Sequence, residues 1–327
     1  MRVLVTGATG FVGVNIVRTL ALQDDTVVAT DLREPNEAAW RYLRGHESRV
    51  TFVAGDVRAQ ALQRDLAGRG PYDGLIHAAV ITAVNPDFEM RDPVRMLDVN
   101  VLGTAHMLEL ARAAGVPRFL YVSSGSVYGT LGSVERPLTE DGPTSPAGLY
   151  GVSKYASELV CRRYAALFGL DLRMVRLTSP FGPMERQTGA REWMSVPYTW
   201  THQALRGEVV RAANLECVRD YLYVEDVTAG IVAALKAGAP RHPVYNLGSG
   251  VAYRLSEVLE TLARLVPGMR HEVVPAYPEF NVRPENTRGP LDVRRAREDL
   301  GFAPQHDLAG GLQKYLDWLR DPANLAL

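Results

Sequence analysis

Short runs of β-branched and aliphatic residues alternate with helix-length amphipathic stretches through the first half of the 327-residue chain. Residues 2–6, 26–30, 50–53, 75–77, 118–122 and 172–176 read as strands, and 11–22, 93–114 and 150–168 as helices. Strands separated by helix-length segments build a parallel sheet with helices on both faces. Val3-Leu4-Val5, Val27-Val28-Ala29 and Phe119-Leu120-Tyr121-Val122 are apolar throughout instead of alternating, the pattern of strands buried on both sides. The expected fold class is therefore α/β, a doubly wound parallel sheet that binds ligands at the carboxyl ends of its strands.

Beyond Arg176 the pattern loosens into Pro- and Gly-punctuated, aromatic segments such as 181–183 and 193–200. A helix over 224–236, a strand over 244–247 and helices over 256–265 and 308–320 follow. This predicts a cofactor domain of residues 1–178, rejoined by 218–250, and a smaller α/β substrate lobe from 179–217 and 251–327.

Composition narrows the partners. Thirty-six Lys and Arg against 37 Asp and Glu give a net charge of −1, so nothing drives the whole chain toward nucleic acid or an anionic membrane. Cys161 and Cys217 lack disulfide or zinc spacing and the seven histidines are scattered, so no metal site is expected. The N-terminal apolar run is too short for a signal segment and no run is long enough to span a bilayer, from which a cytoplasmic location is expected.

The first strand runs directly into Thr6-Gly7-Ala8-Thr9-Gly10-Phe11-Val12-Gly13. Glycines at that spacing permit a tight turn and bring backbone amides and a helix N-terminus close to a pyrophosphate. Asp31 closes the second strand, where a carboxylate accepts from adenosine ribose hydroxyls and repels a 2′-phosphate. NAD is expected over NADP, with Arg33 two residues on as the opposing signal. Asp56-Val57 follows the third strand, and His77-Ala78-Ala79 ends the fourth, His77 being read as a satisfied buried imidazole. Tyr150 and Lys154 lie four apart on one helical face, so an ammonium can favour the phenolate of a group whose pKa is ordinarily ~10.

With Ser123-Ser124-Gly125-Ser126-Val127-Tyr128-Gly129 after the fifth strand, Asn100 on the preceding helix, Arg219-Asp220-Tyr221 and Asn246-Leu247-Gly248-Ser249, the sequence resembles the extended short-chain dehydrogenase/reductase family. Its members include NAD-dependent nucleotide-sugar epimerases and dehydratases. The resemblance spans essentially the whole chain and implies a Rossmann sheet with Tyr150 as acid/base, Lys154 as its electrostatic partner, Ser124 as donor to the substrate oxygen and Asn100 as a structural or relay element. It implies cofactor contacts at Gly7, Thr9, Gly10, Phe11, Val12, Gly13, Asp31, Leu32, Asp56, Val57, Ala78, Ala79, Asn100, Val122, Tyr150, Lys154 and Pro180. It places substrate against Thr82, Ser124, Gly125, Ser126, Tyr150, Ser179, Arg191, Arg219 and Arg283, with surface ion pairing to Asp220 or Glu225 as the plain alternative for Arg219.

Gly125 and Ser126 stand where related dehydratases carry acidic groups, which disfavours elimination. Two departures weaken the nucleotide-sugar reading: Ser179 replaces an Asn, and residues 212–218 lack the usual segment ahead of the Arg-Asp-Tyr. The order of expectation is a UDP-sugar-type C4 epimerase, then an NAD-dependent dehydrogenase of a free sugar, uronate or other small hydroxy compound, then a non-catalytic NAD-binding protein. A homodimer through helices 93–114 and 150–168 is expected, with Met107, Leu108, Ala111 and residues 161–165 in its contact.

Overall fold

The computed structural model describes residues 1–82, 86–131, 136–275, 282–284 and 287–327. Residues 276–281 and 285–286 of the expected second lobe lie outside these. The first half runs β1 (Arg2–Thr6), α1 (Phe11–Leu22), β2 (Thr26–Asp31), α2 (Glu37–Tyr42), β3 (Val50–Ala54), α3 (Gln60–Gly68), β4 (Gly74–His77), α4 (Pro86–Arg91), α5 (Pro93–Leu97), α6 (Gly103–Ala113), β5 (Arg118–Ser124), α7 (Leu149–Phe168) and β6 (Asp171–Leu177). The remainder is β7 (Ser179–Phe181), α8 (Val196–Leu205), β8 (Val210–Ala212), β9 (Val218–Arg219), β10 (Tyr221–Tyr223), α9 (Val224–Lys236), β11 (Val244–Leu247), β12 (Tyr253–Arg254), α10 (Leu255–Leu265), β13 (His271–Val273), α11 (Arg294–Leu300), α12 (Leu308–Leu319) and α13 (Pro322–Leu325).

The main sheet has the order β3-β2-β1-β4-β5-β6-β11, and each pairing in it is parallel. Val3 and Val5 enter one hydrophobic core and Leu4 the other, because successive strand residues point to opposite faces. One face is covered by α1, α9 and α11, the other by α3, α6 and α7. The chain reverses its direction of winding between β1 and β4, so the ends of these neighbouring strands diverge and leave a crevice.

Three expectations are corrected. The stretch 93–114 is not one helix: α5 passes through a π-turn, Asp98–Leu102, into α6. The Asn100 carbonyl accepts from Thr104 Oγ1 at 2.6 Å and Ser157 Oγ at 2.9 Å, side-chain bonds that compete with the regular helical ladder there. The aromatic segment near residue 200 contains α8, capped by Ser195, whose hydroxyl accepts from the Tyr198 amide. Finally, the lobes interleave differently from the expected spans. Tyr221 and Tyr223 join the second core, with Phe181, Trp200, Leu255 and Tyr315, whereas Val293, Ala296 and Phe302 join the first. Gly230 on α9 admits the Phe302 ring, which lies 2.9 Å from where a Cβ would stand.

Candidate active site

The turn after β1 is set by close backbone approach. Gly7 has φ +69°, and a Cβ there would lie 2.6 Å from the Ala79 amide nitrogen; a Cβ on Gly13 would lie 1.9 Å from the Gly7 carbonyl oxygen. These glycines pack β1, α1 and the end of β4 together. Gly10 differs: a Cβ there would meet only the Gly7 oxygen at 3.2 Å, so its bareness keeps the N-terminus of α1 open. The Phe11, Val12 and Gly13 amides at that terminus have no intrahelical acceptor, and no acidic side chain occupies the first turn. The cradle thus suits a dinucleotide pyrophosphate.

At the end of β2, Asp31 Oδ2 accepts from the Thr9 amide at 2.9 Å and the Thr9 hydroxyl at 2.8 Å, and Oδ1 from the Leu32 amide at 2.7 Å. Two oxygens with four lone-pair sites retain room for ribose hydroxyls. Asp56 is ion-paired with Arg58 at 2.6 Å, which also bonds Asp98, and the Arg58 hydrogen bonds hold its carboxyl below the ordinary range. The Val57 side chain is buried against Gly103. Ala78 and Ala79 donate their amides to Thr6 Oγ1, which fixes the β4 end over Gly7. His77 contacts Thr6 Oγ1 at 2.7 Å and Thr104 Oγ1 at 3.1 Å, and burial drives its pKa to about 3. It is the satisfied core imidazole expected.

Tyr150 and Lys154 sit on the first turns of α7, facing the end of β5. Lys154, 2% exposed, donates to the Val122 carbonyl at 2.7 Å, with its Nζ 4.8 Å from the Tyr121 ring centroid. Burial lowers its pKa to about 7. Tyr150 is half-buried by surface area yet closely surrounded, and desolvation raises its phenol; hydrogen bonding with Ser124 and Thr82 and the charges of Arg191 and Arg288 act the other way. Ser124 Oγ also lies 3.1 Å from both the amide and the hydroxyl of Ser126. Asn100 acts locally as a brace: its side chain bonds the Ile81 amide and carbonyl at 2.8 and 3.1 Å and Ser153 Oγ at 2.9 Å. That fixes the segment carrying Thr82 against the helix carrying Tyr150.

The second lobe closes the cleft. Ser179 and Pro180 on β7 are half-buried beside β10, with the Ser179 amide on the Asp220 carbonyl at 3.2 Å. Arg219 on β9 is buried and so does not form the surface pair given as its alternative; the neighbouring Asp220 carboxylate accepts from Ser249, Gly250 and Leu291. Arg283 stacks on Trp193, its Cζ 4.7 Å from the ring centroid.

Sequence reasoning missed Arg288. Its buried guanidinium makes no hydrogen bond or ion pair among the described residues, and its Cζ would lie 3.4 Å from a Cβ on Gly125. Burial and the neighbouring Arg219 lower its pKa to about 9. Two adjacent buried guanidinium groups repel, a repulsion that the nearby Asp220 carboxylate offsets in part, and a wall that carries both is suited to an anion. Only the fold brings residue 288 to Gly125 and Tyr150; no local spacing marks it. Also unforeseen was the Arg176–Glu158 pair beneath the site, bidentate at 2.9 and 2.7 Å, which anchors Ser123 and Tyr128.

Residues 3–248 match the model of the NAD dependent epimerase/dehydratase family. The chain is 32% identical over 327 residues to the UDP-glucose 4-epimerase of Mycolicibacterium smegmatis, covering 98% of this chain and 99% of that one. It is 29% identical over 340 residues to UDP-glucuronate 4-epimerase 6 of Arabidopsis thaliana, covering 97% of this chain and 71% of that protein. The solved structure of a UDP-glucose 4-epimerase from Thermotoga maritima with UDP-glucose superposes with a TM-score of 0.86 at 26% identity, over 99% of this chain and 100% of that one. A match that runs from β1 past the anion-facing wall of β9, at full-length similarity, leaves one assignment: the chain belongs to the NAD-dependent epimerase/dehydratase family.

Proposed function

We propose that the protein is a UDP-sugar C4 epimerase, and the observation that carries this reading is the pairing of Tyr150 and Lys154 on one side of the cleft with the buried Arg219 and Arg288 on the other. The guanidinium groups are read as holding the diphosphate and setting the sugar against Tyr150. NAD, bound along the glycine turn, supplies a hydride acceptor that can hand the hydride back. Tyr150 takes the hydroxyl proton as the carbinol becomes a ketone and returns it on reduction from the other face. Lys154 favours the phenolate, Ser124 donates to the substrate oxygen and Asn100 keeps Thr82 and Tyr150 in register.

We further propose a homodimer through the stretches expected, 93–114 and 150–168, but not by the core residues named for its contact. Met107, Leu108, Ala111 and Cys161 are buried in the protomer's own core, so they cannot form the contact. Val152 and Leu159, seven apart on α7, and Leu102 beside them are 40%, 51% and 53% exposed. A twofold stripe of these residues would cover apolar surface that α6 and α7 leave bare. No helix among the described residues is long and apolar enough to cross a membrane.

The test is incubation of NAD-loaded protein with UDP-glucose, UDP-glucuronate, and the corresponding free sugars. A C4 epimer without net NADH absorbance supports the reading. Stoichiometric NADH from a free sugar or uronate would replace it with the dehydrogenase alternative.

A further inference from the structure

The segment between β7 and α8 contains a charged device that the cofactor and diphosphate contacts leave unexplained. It is tied to the cofactor domain at two places, where Arg186 donates to the Thr9 carbonyl at 2.7 Å and the Ala190 carbonyl accepts from the Thr82 amide at 2.8 Å, and it closes on itself where Thr188 and Arg191 exchange backbone bonds at 2.9 and 3.2 Å. Arg191 is over-determined within it. Its NH2 group donates to Glu185 Oε1 at 2.5 Å, Nε donates to the Trp193 carbonyl at 3.2 Å, and Cζ lies 5.5 Å from the Phe11 ring centroid.

Glu185 is the anchor. It is 1% exposed and also accepts from the Ser195 amide at 2.7 Å and the Ser195 hydroxyl at 2.8 Å, so the α8 cap holds the carboxylate that holds the arginine. A buried carboxylate at a lobe interface needs a reason, because desolvation opposes its charge. Tyr198 on α8, Tyr221 on β10 and Tyr315 on α12 are the other titratable groups facing it. Tyr150 is faced by Arg288 from beyond β13, Arg191 from this segment, Tyr121 on β5 and the hydroxyls of Ser124 and Thr82, and Lys154 lies one turn along its own helix with its ammonium on the Val122 carbonyl.

We propose that Glu185 is a positioning residue for proton transfer: it tethers the Arg191 guanidinium over the Phe11 ring, next to Ala190, which packs with Tyr150 against Ile81 and Met96, so the second lobe supplies a cation additional to Lys154. The inference rests on the hydride-transfer reading, but its readout does not need the substrate. In NAD-loaded protein, the ultraviolet phenolate titration of wild type minus that of Tyr150→Phe isolates Tyr150. Arg191→Ala should move that titration up by about one pH unit, the scale of losing one nearby opposite charge. Glu185→Ala frees the guanidinium and should move it the same way. Glu185→Gln keeps an acceptor and deletes the negative charge, so the phenol should titrate at or below wild type. Glu185→Ala combined with Arg191→Ala should shift no further than Arg191→Ala alone, since the two act as one unit.

Arg191→Lys should recover part of the shift. Arg191 is partly exposed, so its variants test the idea even if Glu185→Ala destabilises the lobe; retained NAD binding checks their fold. An unmoved titration in Arg191→Ala, or additive shifts in the double variant, would overturn the proposal. The expected shifts in a protein that turns over no nucleotide sugar would support this pair and remove the substrate reading instead.

Discussion

The two walls of the cleft are built in opposite ways. The cofactor wall is local: Gly7 to Gly13, Asp31 and the Tyr150/Lys154 pair each lie at the end of one strand or on one helix, and contacts such as Thr9 to Asp31 join adjacent strand ends. The facing wall is assembled from distant pieces, Arg191 paired with Glu185 and the anion-facing Arg219 and Arg288, carried by a connecting segment, a two-residue strand and a late loop. Arg219 and Arg288 are buried, Arg288 without an ion pair among the described residues, whereas the partly exposed Arg191 is paired with Glu185. A wall that contacts an invariant cofactor can use short rigid motifs, whereas one that selects a substrate can place its charges from whatever segments the second lobe brings near.

The sharpest way to separate the walls is to remove the group that serves both. Tyr150→Phe should reduce turnover by ~10²–10⁴-fold while NAD affinity stays close to wild type, because the lost hydroxyl handles the proton in transit. Lys154→Ala should lower both turnover and NAD affinity. Fluorescence quenching by NAD and steady-state rates on the same preparations read the two effects apart. Equal losses of NAD binding in Tyr150→Phe would merge the walls into one unit.

Next in size is Arg288→Met, which keeps much of the volume and deletes the charge. A charge-assisted hydrogen bond contributes ~1.5–3 kcal/mol, so KM for a UDP-sugar should rise about 10- to 100-fold with NAD affinity unchanged. The folded protein should also be no less stable, since a guanidinium whose pKa burial has lowered is better tolerated when neutral. An unchanged KM would locate the anion elsewhere.

Acid stability probes the cofactor wall from beneath. Folded His77 refuses a proton until about pH 3, whereas in the unfolded chain it protonates near its ordinary 6.5. Between those values the unfolded state binds more protons, so stability falls as pH drops from about 6.5 toward 3. Replacing His77 with Asn should flatten the pH dependence of the urea midpoint in that window, by up to about 1.4 kcal/mol per pH unit for one proton. An unflattened slope would mean that other groups govern acid unfolding.

The contrast between the walls also decides how much was legible in the sequence. The sheet was readable because its strands are apolar throughout, and α1, α9 and β11 were recognised to the residue. Tyr150, Lys154, Ser124 and Asp31 stood out because each belongs to a contiguous pattern whose geometry follows from one strand end or one helical turn. Arg288 was invisible for the converse reason: its environment is Gly125 and Arg219, neither near it in the chain. The π-turn at Asn100 was equally hidden, since the hydroxyl bonding its carbonyl from α7 comes from Ser157. Arg283, chosen from its place in the family pattern, stacks on the Trp193 ring, a contact that no spacing in the sequence marks.

The smallest expected effect tests whether the cofactor wall is as self-contained as its locality suggests. Thr9 gives Asp31 two bonds, one from its amide and one from its hydroxyl, and Arg186 of the second lobe holds the Thr9 carbonyl at 2.7 Å. Thr9→Val keeps the shape and the amide bond and removes the hydroxyl bond. One neutral-to-carboxylate hydrogen bond that only orients a ribose acceptor should contribute ~1 kcal/mol, so the NAD dissociation constant should rise about fivefold with kcat unchanged. Arg186→Gln, which touches the same turn from the other lobe without touching Asp31, should produce a similar or smaller rise. If Arg186→Gln instead weakens NAD far more than Thr9→Val does, the second lobe takes part in holding the cofactor, and the division of labour between the two walls is less complete than their sequence locality implies.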